Sequence, residues 1–197
     1  MARTQAADYE QRREAIVAKA ARQFARFGFN GASVADLAKA CDTSKSLIYH
    51  YYPSKEDILY AVMASHLDLL RQDVAHALAS GGSVTEQLRR IVHSFMRHYV
   101  GAADAHKVLL NELDSLPPEP RAKIVQQQRE IIAVVSALLA ATFDDLERSP
   151  SHARASAMLL FGMINWTHTW YDPGGPIDPD TLADMALAMI LREPPPG

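Results

Sequence analysis

Residues 32–59 read ASVADLAKACDTSKSLIYHYYPSKEDIL, and the spacing of polar and apolar side chains predicts two short helices joined by a tight turn. Ser33-Val-Ala-Asp36 has the serine-x-x-acid form that caps a helix start, and Val34, Leu37, Ala38 and Cys41 then fall on one inner side. Asp42-Thr43-Ser44 supplies turn and cap residues. A second short helix follows over residues 45–51, and Pro53 forbids its continuation. Ser54-Lys-Glu-Asp57 repeats the capping form and opens a long helix with the stripe Ile58, Val62, His66, Leu69, Val74 and Leu78, ended by Gly81 and Gly82. Upstream, Ile16, Ala20, Phe24 and Phe27 recur at helical intervals, with Gly28 as the stop. Three helices around a tight turn are thereby predicted before residue 54.

Further helices are predicted over residues 84–100, 103–113, 119–142, 150–171 and 179–191, with breaks at Pro117, Pro118, Pro120, Pro173 and Pro176. No succession of alternating, β-branched runs competes with them, so the fold class is all-α. At 197 residues and 48% hydrophobic, the chain can bury a core without a disulfide or a metal. Its single cysteine, Cys41, allows no internal disulfide and no cysteine-based zinc site, which fits a reducing compartment, the cytoplasm. The first ten residues lack the apolar stretch of a secretory signal. The longest uncharged run, residues 155–171, falls short of the roughly 20 apolar residues that cross a bilayer, so no membrane partner is expected. The proline tail, residues 194–196, has nothing to pack with and is expected to be loose.

A formal net charge of -3 excludes a wholesale polybasic binder, so any nucleic-acid surface must be local. Residues 1–60 hold nine Lys or Arg against seven Asp or Glu, while the remainder hold eleven against sixteen, which points the front end toward a polyanion. Two short helices at a tight turn, braced before and after, form a helix-turn-helix, whose second helix enters the major groove of double-stranded DNA. The side chains so presented are Lys45, Ser46, Tyr49 and His50, following the cap residue Ser44. Lysine can donate to guanine, serine can donate or accept, and tyrosine offers a ring and a hydroxyl. Ser33, Ser54 and Lys55 stand at helix starts where backbone amides attract phosphate, and Tyr51 is a further contact candidate. Tyr52 is assigned to packing.

The stretch 32–59 resembles the DNA-binding signature of the TetR family of one-component bacterial transcription regulators, most specifically in Tyr49-His-Tyr-Tyr-Pro-Ser-Lys-Glu56. The resemblance implies groove contacts from Lys45, Ser46 and Tyr49, and phosphate contacts from Ser33, His50, Tyr51 and Lys55. Three residues depart from the family's usual pattern: Asp42 where glycine is typical, Thr43 where valine is common, and Ser46 where glycine often sits. Aspartate tolerates a left-handed backbone better than most residues, so the turn should survive. The organisation that follows is a DNA-binding domain over residues 1–53 and a ligand-binding and dimerisation domain over residues 54–197.

One such head reads only a few base pairs, so a symmetric homodimer on paired half-sites is expected. Residues 155–171 carry apolar and aromatic groups around the whole helix, and the last helix is also strongly apolar; Met158, Leu182, Met185 and Met189 are the seam candidates. A small-molecule effector would meet His66, Leu70, Phe95, Met96, Tyr99, Asn111, Phe161, Asn165, Trp166 and Trp170, apolar walls with sparse polar groups. The segment from Gly162 to Gly175 is similar to C-terminal regions of TetR regulators of fatty-acid, steroid or phenylacetate catabolism, which implies an acyl- or aryl-CoA effector and release of a palindromic operator. The alternative is a repressor of an efflux pump that senses hydrophobic drugs. No metal-binding, phosphate-loop or nucleophile motif is legible, so no enzyme, metal or cofactor is expected.

Overall fold

The computed structural model describes residues 2–143 and 149–192, with side chains from Asp8 onward; the tail at 194–196 lies outside the described residues. All regular structure among these residues is helical. In order the helices are α1 (Ala2–Gly31), α2 (Val34–Ala40), α3 (Lys45–Tyr51), α4 (Lys55–Ala79), α5 (Val84–Gly101), α6 (Ala103–Asn111), α7 (Pro118–Thr142), α8 (Pro150–Trp166) and α9 (Pro179–Leu191). Single tight turns follow α6 and α8, at Leu113–Ser115 and Thr167–Thr169. The chain divides into two compact units, Met1–His66 with Asp104–Ile124, and Leu67–Ala103 with Val125–Gly197.

In the first unit, Ile16, Ala20 and Phe24 of α1 are buried, as are Val34, Leu37 and Ala38 of α2, Ile48 of α3 and Ile58, Leu59, Val62 and Met63 of α4. The expected stop at Gly28 is a kink instead: Gly28 takes φ +71°, and the helix resumes to Gly31. That bend reverses the expected placement of Phe27, which is 55% exposed, and turns Phe29 inward to lie 5.6 Å from the Phe24 ring. The stripe on α4 differs as well. Leu69 and Leu78 are exposed and Leu70 and Ala77 buried, because a seam stepping by four from Ile58 through Val62 and His66 arrives at residue 70.

The aspartates at the predicted capping boxes are one methylene too short for the reciprocal form. Ser33 Oγ accepts from the Asp36 amide at 3.0 Å and donates to Asp36 Oδ2 at 2.6 Å, and Ser54 does the same with Asp57. The full box stands at the start of α5, where Glu86 reaches back to the Ser83 amide at 2.7 Å.

The turn between α2 and α3 closes in the Schellman pattern, with Thr43 N–H on the Ala38 carbonyl and Asp42 N–H on the Lys39 carbonyl. It requires a left-handed residue, and Asp42 supplies it at φ +51°. Left-handed backbone costs an ordinary L-residue about 1–2 kcal/mol. Asp42→Gly is therefore expected to hold or raise stability by up to about 1 kcal/mol, and Asp42→Val to lower it by about 1–2 kcal/mol, in thermal unfolding followed by circular dichroism. A valine variant as stable as the wild type would show that the turn does not constrain the head.

The second unit is built on α5, whose Leu88, Ile91, Val92, Phe95, Met96 and Tyr99 are buried. Helix α9 packs on α5, and Leu182, Ala183, Ala186 and Leu187 are buried. Charge reinforces this pairing: His93 lies between Asp180 at 2.9 Å and Asp184 at 3.0 Å, and Arg97 meets Asp180 at 2.7 Å. These donors, His93 foremost, hold the Asp180 carboxyl below the usual carboxylate range. Helix α8 ends at Trp166, earlier than expected. The hydroxyls of Thr167 and Thr169 donate to the carbonyls of Ile164 and Trp166, and the His168 ring meets the Asn165 carbonyl, so side chains take the acceptors a longer helix would need. Helix α7 is long and apolar enough to cross a membrane by length and composition alone, with mean hydropathy 1.2. Its Ile131, Val135, Leu138 and Leu139 are instead buried, and its Glu130 pairs with Arg71 of α4 at 3.5 Å.

Candidate nucleic-acid interface and effector region

Helix α3 is held from below by one residue, Ile48, fully buried, while Lys45, Ser46, Tyr49 and His50 are exposed around it. Ser44 caps its first turn by accepting from the Leu47 amide at 3.1 Å. Lys45 and Tyr49 are one turn apart, and the ammonium lies 5.7 Å from the ring centroid. Contact of this kind restrains a flexible cation on the exposed face of the helix. Tyr51 is half-buried and packs at 4.8 Å on Tyr9 of α1, which keeps its ring at the edge of the same surface. Tyr52 is buried, with its hydroxyl on the Arg13 carbonyl at 3.5 Å and the Arg13 guanidinium over its ring; burial pushes its phenol up. Cys41 is half-buried, and desolvation raises its thiol.

Two further donors flank α3. Ser33 opens α2, although its hydroxyl proton is engaged by Asp36, whose carboxyl that bond lowers. Lys55 opens α4 with its ammonium 4.3 Å from the Phe29 ring centroid. Glu56 and Asp57 in the same turn complement the helix dipole, while Lys55 adds a cation beside the first-turn amides. Tyr9 and Phe29 were invisible as contributors in the sequence, since the first lies before the periodic stretch of α1 and the second depends on the kink at Gly28.

The ten residues read as effector contacts do not form one group. In the second unit, Leu70, Phe95, Met96, Tyr99 and Phe161 are buried, with Phe95 at 6.0 Å from Tyr99 and 6.2 Å from Phe161 between ring centroids. Burial pushes the Tyr99 phenol far up, so it stays neutral. Asn165 is half-buried with its Oδ1 enclosed and unbonded, an acceptor available to a donor from outside the chain. In the first unit, His66 is buried and meets the equally buried His106 at 3.2 Å. Sequence spacing gave no sign of this partner 40 residues away. Asn111 is exposed at the end of α6, and Trp166 and Trp170 are 64% and 56% exposed, so these three are surface groups of the single chain rather than interior walls. Of the seam candidates, Met158, Met185 and Met189 are exposed; Leu182 is buried within the chain.

A capped helix with a polar outer face, set on a Schellman turn and braced by α1 and α4, has the form of a DNA-reading head. Residues 16–62 match the family model described as bacterial regulatory proteins of the tetR family, and residues 81–193 match the tetracyclin repressor-like C-terminal domain. The chain belongs to the TetR family. Among solved structures it is similar to a TetR-family transcriptional regulator from Bordetella parapertussis 12822, at 37% identity and TM-score 0.87, covering 92% of this chain and 94% of that one. Among curated relatives it is 26% identical to the HTH-type transcriptional repressor KstR2 of Rhodococcus jostii (strain RHA1), over 91% of this chain and 89% of the relative. It shares its fold with AibR, solved in complex with isovaleryl coenzyme A and operator DNA, at 24% identity and TM-score 0.81 over 92% and 99% of the two chains. Members of this TetR family are DNA-binding, ligand-responsive transcriptional regulators, and this chain is one of them.

Proposed function

We propose that the protein is a homodimeric repressor that binds a palindromic operator and releases it when a small-molecule effector, an acyl- or aryl-CoA thioester, binds. Residues 1–53 would serve DNA binding and residues 54–197 effector binding and dimerisation. The observation that carries the reading is the outer face of α3, where Lys45, Ser46, Tyr49 and His50 are all exposed over a single buried anchor. Direct base readout needs such a face: donors and acceptors on one short helix, unengaged by the protein's own core. Ser33, Tyr51 and Lys55 would hold phosphates on either side. A regulator acting on DNA works in the cytoplasm.

The effector half of the reading is supported by the aromatic interior around Phe95 and by the enclosed, unbonded Asn165 acceptor, which suit an apolar acyl or aryl group with one polar anchor. AibR shows that this fold accommodates a CoA thioester. An effector that prefers the operator-incompetent form weakens operator binding, and linkage makes operator weaken effector equally. A coupling of about 1–3 kcal/mol changes operator affinity roughly 5- to 150-fold.

The test has two parts. Purified protein should protect an inverted repeat upstream of its own gene in a footprint. In thermal shift against short-chain and aromatic CoA thioesters, a true effector at a hundred times its Kd should raise Tm by roughly 5–10 °C, since that excess contributes about 2.7 kcal/mol. Absence of any footprint would overturn the operator reading. A response confined to lipophilic cations would replace the thioester by a drug-like ligand.

A further inference from the structure

On the second unit, α4 and α5 enclose a groove of about 390 Å³ lined by Asp73, His76, Ala77, Arg89, Arg90, His93, Ser94 and Arg97. Three guanidiniums and two imidazoles thus converge on one small volume. It also holds the carboxylate of Asp73, whose buried Oδ2 lies 2.8 Å from His98 Nε2. Groups from α9 also reach this cluster: Asp180 takes Arg97 and His93, and Asp184 takes His93, with Arg89 at 3.9 Å. Those carboxylates engage the α9 side of the stripe and are not among the groove's lining residues.

We propose that this groove is a binding site for a small multiply charged anion of the pyrophosphate class, distinct from the apolar interior around Phe95. The chemistry is that of guanidinium recognition: Arg90 and Arg97 carry N–H groups beyond those already on the Gly81 carbonyl, Asp180 and Ser94 that can turn to phosphoryl oxygens, with the exposed His76 ring completing the lining. The ionic tie to α9 uses His93, Arg97 and Arg89; among the described residues no carboxylate of that helix pairs with Arg90 or His76, and Arg90 faces Glu86 of its own helix. Arg90 instead bonds the Gly81 carbonyl through Nη1, which fixes the guanidinium at the groove's end. Two sources would present this chemistry, a free polyphosphate or nucleotide and the phosphate portion of a larger effector.

The experiment is calorimetric titration of the full-length protein with inorganic pyrophosphate at constant ionic strength, alongside Arg90→Gln, His76→Glu and a control, Lys123→Gln in the other unit. Binding to wild type and control, with a loss of about tenfold or more in both groove variants, is expected, the order of one charge-assisted hydrogen bond. His76 is exposed, so its replacement keeps the test valid should Arg90→Gln loosen the α4–α5 turn. No binding to wild type, or equal binding to all four proteins, would overturn the site. Free coenzyme A, ATP and an acyl-CoA form the second arm: competition with pyrophosphate by ATP alone identifies a nucleotide site, and competition by both CoA forms a phosphate-bearing effector. The groove stands or falls on pyrophosphate, whereas the effector reading is decided by the thermal shift with CoA thioesters and the operator reading by the footprint.

Discussion

The double variant Met158→Glu, Met189→Glu is expected to behave as a monomer and to bind its operator more than about a hundredfold more weakly than the wild type. Both methionines are exposed in the single chain, at 48% and 68%, and so are Leu159 at 67% and Trp166 at 64%. Apolar area of this size on α8 and α9, set over a buried layer of Leu160, Ile164, Ala183 and Leu187, has no use in an isolated subunit. Facing its own copy, it would be removed from water at about 25 cal/mol per Å². A carboxylate placed in that seam must be desolvated against apolar neighbours, and twofold symmetry presents each one twice. The operator loss follows from valency: two linked heads gain a factor of about 10² to 10⁴ over one head. Because neither side chain contributes to the chain's own core, the far-ultraviolet spectrum should be unchanged. Leu182, buried within the chain, is unsuited to the experiment, since its loss would damage the subunit itself. A dimer that persists by light scattering would show that the seam lies elsewhere.

The head was legible in the sequence because its signals are local. A cap serine, a three-residue step to an acid, a proline stop and an unbroken four-residue spacing each act within one or two turns, so α2, α3 and the start of α4 fall where the residues put them. What the sequence hid depends on backbone direction or on distance along the chain. Gly28 signals a break but not whether the helix stops or bends, and the bend decides that Phe29, not Phe27, joins Phe24. The end of α8 was missed because Thr167 and Thr169 look like tolerable helix residues until their hydroxyls are seen on the carbonyls three residues back. The effector region was the least legible. Periodicity tells which side chains leave the water but not which unit receives them: His66 meets His106, while Leu70, one turn on, belongs with the other unit. Trp166 and Trp170 looked like interior walls because aromatic residues in an uncharged run give the same pattern whether they face a cavity or a partner.

Lys45→Ala and Lys55→Ala should separate base reading from phosphate holding, the two functions assigned to α3 and its flank. Lys45 stands exposed on the first turn of α3, beside Tyr49 and one turn before it, and among the described residues no acid pairs with its ammonium. If it donates to guanine, its removal should cost about 1–3 kcal/mol at one operator position and leave scrambled duplex almost unaffected, so that preference relaxes. Lys55 is placed otherwise. Its ammonium lies over Phe29 in the first turn of α4, a position fixed by the fold and indifferent to sequence. Removing it should weaken operator and scrambled duplex by the same factor and reduce the slope of log K against log salt by about 1 per head, the signature of one lost phosphate contact. The salt series matters as much as the affinity, because a merely structural lysine would lower binding without changing the slope. Competition titrations of both variants against both duplexes, from low to physiological salt, decide the matter: equal losses on both sequences for Lys45→Ala would overturn its base-reading role, and an unchanged salt slope for Lys55→Ala would overturn its phosphate contact.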